Sequence, residues 1–83
     1  MTFFVNKIRE VIFMYEKLLE AINQNIINIL DRKNISSRKL SKIIGKNDGY
    51  ISRMLNGKFV PSLEVLCLIA DKLGTTVSDL TKI

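Results

Sequence analysis

The first 44 residues contain neither glycine nor proline. A stretch of that length without either helix breaker constrains the fold more than any other feature of the chain. Along it, apolar residues recur at Phe4, Ile8, Val11, Ile12, Tyr15, Leu18, Leu19, Ile22, Ile26, Ile29 and Leu30. Steps of three and four place them on one face of a helix, because 3.6 residues complete a turn. The spacing fits one long helix or two. "NQNIIN", Asn23 to Asn28, is rich in weak helix formers and is where a break is expected. Charges at Lys7, Arg9 and Glu10 interrupt the apolar run well before the roughly 20 residues that span a bilayer. No small-residue cleavage site follows it, so neither a membrane span nor an export signal is expected.

From residue 36 onward the chain divides into short helical patterns. Ser36 is a suitable N-cap for a helix whose inner face is Leu40, Ile43 and Ile44. Gly45 follows directly, where a residue able to adopt a left-handed backbone ends a helix at little steric cost. Asn47 is the expected N-cap of the next helix, Asp48 to roughly Asn56, with Ile51, Met54 and Leu55 inward and Gly57 closing it. "PSLEVLCLIADKLG" gives a further helix capped by Ser62, with Glu64 near its positive end, Lys72 near its negative end and Gly74 after it. Cys67 in this run is expected to be a small core hydrophobe. "TVSDL" sets Thr76 and Asp79 at capping-box spacing, with Val77 and Leu80 as its apolar pair. The expectation is an all-α chain of about six helices. At 83 residues it forms one small domain, residues 20–83, with a helical extension over residues 1–19.

The net charge of +5 is unevenly placed. Residues 1–20 carry three basic side chains (Lys7, Arg9, Lys17) and three acidic ones (Glu10, Glu16, Glu20). Residues 32–58 carry eight basic side chains and one acidic, Asp48, for a local charge of +7. Such a patch is the footprint of a protein that binds a phosphate backbone, although a solvated lysine-rich face has the same composition. The chain has one cysteine and no histidine, which excludes an internal disulfide and a Cys/His zinc cluster. No Gly-rich phosphate loop and no pairing of nucleophile with base is visible. No enzyme activity, metal, cofactor or small-molecule ligand is therefore expected. A lone free thiol suggests a cytoplasmic setting.

"KLSKIIGKNDGYISRMLNG" has the layout of a helix-turn-helix: two short helices and a tight turn at Gly45. Ser41 must be small there, because the second helix crosses close by. Ile51 and Met54 face back to the core.

The wider stretch "LSKIIGKNDGYISRMLNGKFVPSLEVLCLIADKLGTTVSDL" resembles the Cro/CI (Xre-type, lambda-repressor-like) helix-turn-helix family. The matching features are "LS-x-x-I-G", "YIS-x-x-x-NGK", "PSLEVL-x-x-IA-x-x-L" and the final "VSDL", and the likeness runs from about Glu20 to Ile83. It implies a five-helix DNA-binding domain whose second helix of the motif enters the major groove. Carried over residue by residue, base contact falls to Asp48, Gly49, Tyr50, Ser52 and Arg53. Phosphate contact falls to Ser37, Arg38, Lys42, Lys46, Asn47, Asn56 and Lys58. An arginine at position 53 can clamp guanine O6 and N7, and Asp48 can accept from cytosine N4. The sequence departs from the family at Asp48 and Gly49, where Gln, Ser, Thr or Arg is usual. It departs again at Lys39, where Glu often completes a capping box. A glycine inside a helix costs about 1 kcal/mol against alanine.

The resemblance implies a transcriptional regulator, most simply a repressor, that binds double-stranded DNA. As a homodimer it would read half-sites one helical turn apart, roughly 34 Å. The apolar stripe of residues 1–19 must be covered by something, and a second copy of the chain is the expected partner, ahead of packing on its own domain. Met14 is an alternative start that would shorten this stripe. The rival reading is a protein-interaction module of the same fold, an antitoxin or co-regulator, with weak or no DNA binding.

Overall fold

The computed structural model describes the backbone of residues 2–83 and the side chains from Phe4 onward; Met1, the first residue of the expected extension, lies outside the described residues. Five helices follow one another: α1 (Thr2–Lys33), α2 (Ser37–Ile43), α3 (Tyr50–Leu55), α4 (Leu63–Leu73) and α5 (Val77–Leu80). The expected extra helix and the first helix of the domain are therefore one element, and the break at "NQNIIN" does not occur. Tertiary contacts outweigh the weak propensity there. The Nδ2 of Asn25 donates to the carbonyls of Leu80 at 2.8 Å and Lys82 at 2.9 Å. Gln24 and Asn28 bond each other one turn apart at 2.9 Å. Asn25 thus fastens α1 to the C-terminal end of α5, using carbonyls that a helix end otherwise leaves unpaired.

A single core draws on all five helices. Ile22, Ile26, Ile29 and Leu30 come from α1, Leu40 from α2, and Ile51 and Met54 from α3. Val65, Leu66, Ile69, Ala70 and Leu73 come from α4, Leu80 comes from α5, and Ile44 lies just after α2. Two inward expectations fail. Ile43 is exposed, because the buried set is Leu40, Ser41 and Ile44, and at about 100° per residue position 43 falls outside the face those three define. Cys67 is also exposed. It lies on the side of α4 that carries exposed Glu64 and Asp71, and the buried set at 65, 66, 69, 70 and 73 leaves position 67 outside. Leu55 is half-buried.

The helix ends explain the segmentation. Ser36, Ser62 and Thr76 accept from the backbone N–H groups of Lys39, Val65 and Asp79 at 3.0, 3.1 and 3.0 Å. Asn34 closes α1 with a left-handed backbone, φ 55°. The N–H groups of Asn34 and Ile35 donate back to Asp31 at 3.2 Å and Leu30 at 2.9 Å, which consumes two otherwise unpaired carbonyls. Gly45, φ 79°, repeats the arrangement after α2: its N–H donates to Lys42 at 3.0 Å, and that of Lys46 to Ser41 at 2.8 Å.

Candidate nucleic-acid interface

The site is built around Ser41. It is fully buried between α2 and α3. Its hydroxyl donates to the Ser37 carbonyl at 2.9 Å and accepts from the Ile51 N–H at 2.9 Å. The Ile51 N–H lies in the first turn of α3, where no partner within the helix exists. Ser41 therefore caps α3 from the neighbouring helix. Small size, the reason read from the sequence, is half of its role; the hydroxyl is the other half.

This corrects the expected start of the second helix. Asp48 and Gly49 form a turn, and α3 begins at Tyr50. Asn47 does not cap it, and no side chain of its own segment does. Instead, Asn47 Oδ1 accepts from Arg53 Nη2 at 2.9 Å, and its carbonyl accepts from the Tyr50 N–H at 3.1 Å. Gly49 precedes the helix, so the cost of an interior glycine does not arise. Its missing side chain has another use. A Cβ on Gly49 would stand 2.7 Å from Arg53 Nη1, so the glycine leaves room for the Arg53 guanidinium to fold over the start of α3.

Asp48 pairs with Arg38 of α2, its Oδ2 accepting from Arg38 Nε at 3.0 Å. Both side chains are more than half exposed, at 69% and 52%. An exposed pair of this kind holds by no more than about 1 kcal/mol, so a phosphate can take its place. Tyr50 is half-buried, its ring tilted against Phe59 at 4.9 Å, and the Lys46 ammonium lies 5.3 Å from the ring centre. Arg38, Lys39 and Lys42 line one open groove with Ser36 and exposed Ile43. Ser52 and Arg53 are exposed on α3, opposite buried Ile51 and Met54. Asn56 and Lys58 are exposed beyond its far end, roughly 9 Å or more along the helix from Tyr50.

The structure thus brings together Arg38 with Asp48, Asn47 with Arg53, and Lys46 with Tyr50. Asn56 and Lys58 stand apart from these, and Ser37 is half-buried at the head of α2. Sequence reasoning missed the two tethers that hold the arginines. The signal available for one was an acid ten residues after a base, across a turn that reverses the chain. Nothing in the sequence signalled the other.

A family model for helix-turn-helix proteins matches residues 26–80. The chain belongs to the Cro/CI-type helix-turn-helix family. Its fold is similar to the crystal structure of the clp gene regulator ClgR from Corynebacterium glutamicum, with a TM-score of 0.69 at 27% identity, over 76% of this chain and 67% of that one. Among curated proteins, no sequence matches significantly. As in the Cro/CI-type layout, α2 and α3 are the two helices of the motif. The family match begins at Ile26, inside α1, so the first half of α1 lies outside it. Among the described residues, no helix is long and apolar enough to cross a membrane.

Proposed function

We propose that this chain binds double-stranded DNA at a specific sequence and acts as a transcriptional repressor by occupying its operator as a homodimer. The observation that carries this reading is the Ser41 bond to the Ile51 N–H. It fixes α3 across α2, with Ser52 and Arg53 exposed on α3 and Arg38, Lys39 and Lys42 lining an open groove on the α2 side. In the bound state α3 and its preceding turn enter the major groove. Arg53 exchanges Asn47 for a guanine edge, and Ser52, Tyr50, Gly49 and Asp48 meet neighbouring bases. Arg38 exchanges Asp48 for a phosphate. Ser37, Lys42, Lys46, Asn47, Asn56 and Lys58 take further phosphates on either side. The description of ClgR as a gene regulator supports a regulatory role here.

Charge reversal tests the reading. Arg38→Glu, Lys42→Glu and Arg53→Glu are combined and compared with wild type on an operator selected from random duplexes. The expected result is loss of binding with the fold retained. A reporter gene placed behind that operator should be silenced by the wild type alone. A protein-interaction module would select no operator and would lose nothing on reversal.

A further inference from the structure

The first half of α1 carries an apolar face that the rest of the chain leaves open. Phe4, Ile8, Val11, Ile12 and Tyr15 are each between 44% and 66% exposed, and Leu19 is half-buried. On a helix these six fall within a stripe about 100° wide. A contiguous apolar face of this kind marks a contact surface. The domain reaches only its near end, where Ile83 shares a groove with Val11 and Tyr15. The molecule measures 48 × 22 × 20 Å, and its long axis equals the roughly 48 Å length of a 32-residue helix, so the first half of α1 projects past the domain.

The order of these residues identifies the occupant. Within the stripe the steps from Phe4 to Leu19 are four, three, one, three and four, which read the same in both directions; Val5 and Leu18 flank it at mirrored positions, and exposed Phe13 and Met14 lie outside it. A two-fold axis across a helix lays it on its own reversed copy, so a contact of this type must be self-complementary on reversal. We propose that a second copy of this chain covers the stripe, with the two α1 helices antiparallel about an axis between Val11 and Ile12. Phe4 then faces Leu19 of the partner subunit, Ile8 faces Tyr15 of the partner subunit, and Val11 faces Ile12 of the partner subunit. An apolar groove lined by Val11, Met14, Tyr15, Leu18 and Ile83 marks where α1 leaves the domain, close to where the incoming Phe4 arrives.

Charge agrees with this arrangement. Arg9 and Glu16 are seven residues apart, two turns, and so share one flank of the stripe. Reversal brings Arg9 within two residues' rise, about 3 Å, of Glu16 of the partner subunit, and symmetry repeats the pair. Lys7 is paired with Glu10 at 3.8 Å, and Lys17 with Glu20 at 3.6 Å, within their own helix. Three bases and three acids over residues 1–20 leave no net charge to drive two copies apart, unlike the +7 of residues 32–58. A lipid surface is a poor occupant for the same reason, since the segment has no cationic excess.

This inference refines the homodimer of the proposed function and does not depend on DNA. Sedimentation equilibrium of the full chain without DNA should show a dimer at micromolar concentration. Ile8→Asp and Ile12→Asp should each weaken dimerisation roughly a hundredfold, since a two-fold contact buries the new charge twice. Thermal unfolding of these variants at high dilution should match wild type, because both side chains are exposed in the single chain. Direction is tested by oxidation in a Cys67→Ser background. Ile12→Cys lies at the axis and should form a disulfide-linked dimer readily. Phe4→Cys should not, its two copies being about 22 Å apart. A monomeric wild type would overturn the proposal and leave the stripe to another occupant. So would a dimer indifferent to Ile8 and Ile12, or equal cross-linking at positions 4 and 12. Salt-sensitive duplex binding by a monomeric variant, or a dimer without DNA binding, would separate this inference from the DNA-binding reading.

Discussion

The two halves of α1 share one apolar spacing and differ in surroundings. Ile22, Ile26, Ile29 and Leu30 are 0–7% exposed, buried in the core that all five helices share. Phe4, Ile8, Val11, Ile12 and Tyr15 continue the same stripe at 44–66% exposed. An amphipathic pattern states that a face needs a cover and does not state which cover. In the second half the cover is the chain itself, and the Asn25 clamp fixes where the helix meets it. In the first half the cover must come from elsewhere. On the dimer proposed above, the same contrast sets the energetics: the second half carries the stability of the domain and the first half its association.

Ile26→Ala compared with Ile12→Ala gives the sharpest break between the halves. The first should cost 2–5 kcal/mol of unfolding free energy, of order the usual loss for a buried aliphatic side chain. The second, measured on the monomer at high dilution, should stay within about 0.5 kcal/mol of wild type. Equal losses in denaturant melts would dissolve the distinction. Ser41→Ala should cost about 1–3 kcal/mol, because it leaves the buried Ile51 N–H without an acceptor. Ser41→Val should cost more, since it also separates α2 from α3. Asn25→Ala should cost about 1 kcal/mol and release the C-terminal turn first, visible as faster amide exchange from Val77 to Lys82.

The arginine tethers give a smaller effect of opposite sign. Asp48→Asn frees Arg38 and removes a negative charge from the proposed DNA-facing surface. Duplex affinity should rise about fivefold at low salt, the equivalent of roughly 1 kcal/mol. A fall in affinity on the selected operator would instead mark Asp48 as a base reader. The smallest effect lies at α5. The Lys82 ammonium, hydrogen-bonded to Asp79 at 2.9 Å, holds that carboxyl below its ordinary value, with help from the hydroxyls of Thr76 and Thr75. A lowered value in the folded state means the stabilisation is complete above the ordinary carboxylate range and is lost as pH falls through the lowered value. Acid titration followed at Asp79 by NMR should find its midpoint below that of a free aspartate, and Lys82→Ala should raise it.

Much of the domain was legible because its signals are local. Ser36, Ser62 and Thr76 act as caps through their own segments, and Gly45 ends α2 as its position implies. The misreadings share one cause, which is tertiary contact. Asn25 sits in a weak helical stretch that α5 stabilises from 54 or more residues away. The α3 cap comes from Ser41, ten residues earlier and on another helix. The role of Gly49 depends on the Arg53 guanidinium folding over it, a contact that spacing alone does not signal. Cys67 and Ile43 were misplaced because an apolar run does not reveal which of its members lies outside. The basic stretch over residues 32–58 was plain, but the pairing of Arg38 with Asp48 and of Arg53 with Asn47 was not. On the proposed reading, those pairings are what DNA must displace.

The central claim is that α2 and α3 present a working phosphate-binding surface. Fluorescence anisotropy of a labelled duplex titrated with the protein at several salt concentrations tests it most directly. Four cations are assigned to phosphates: Arg38, Lys42, Lys46 and Lys58. At about 0.9 per phosphate, the logarithm of the binding constant should fall with the logarithm of salt at a slope of roughly −3.6 per chain. A slope near zero, or no binding at low salt, would contradict the account and leave the basic groove a solvated face.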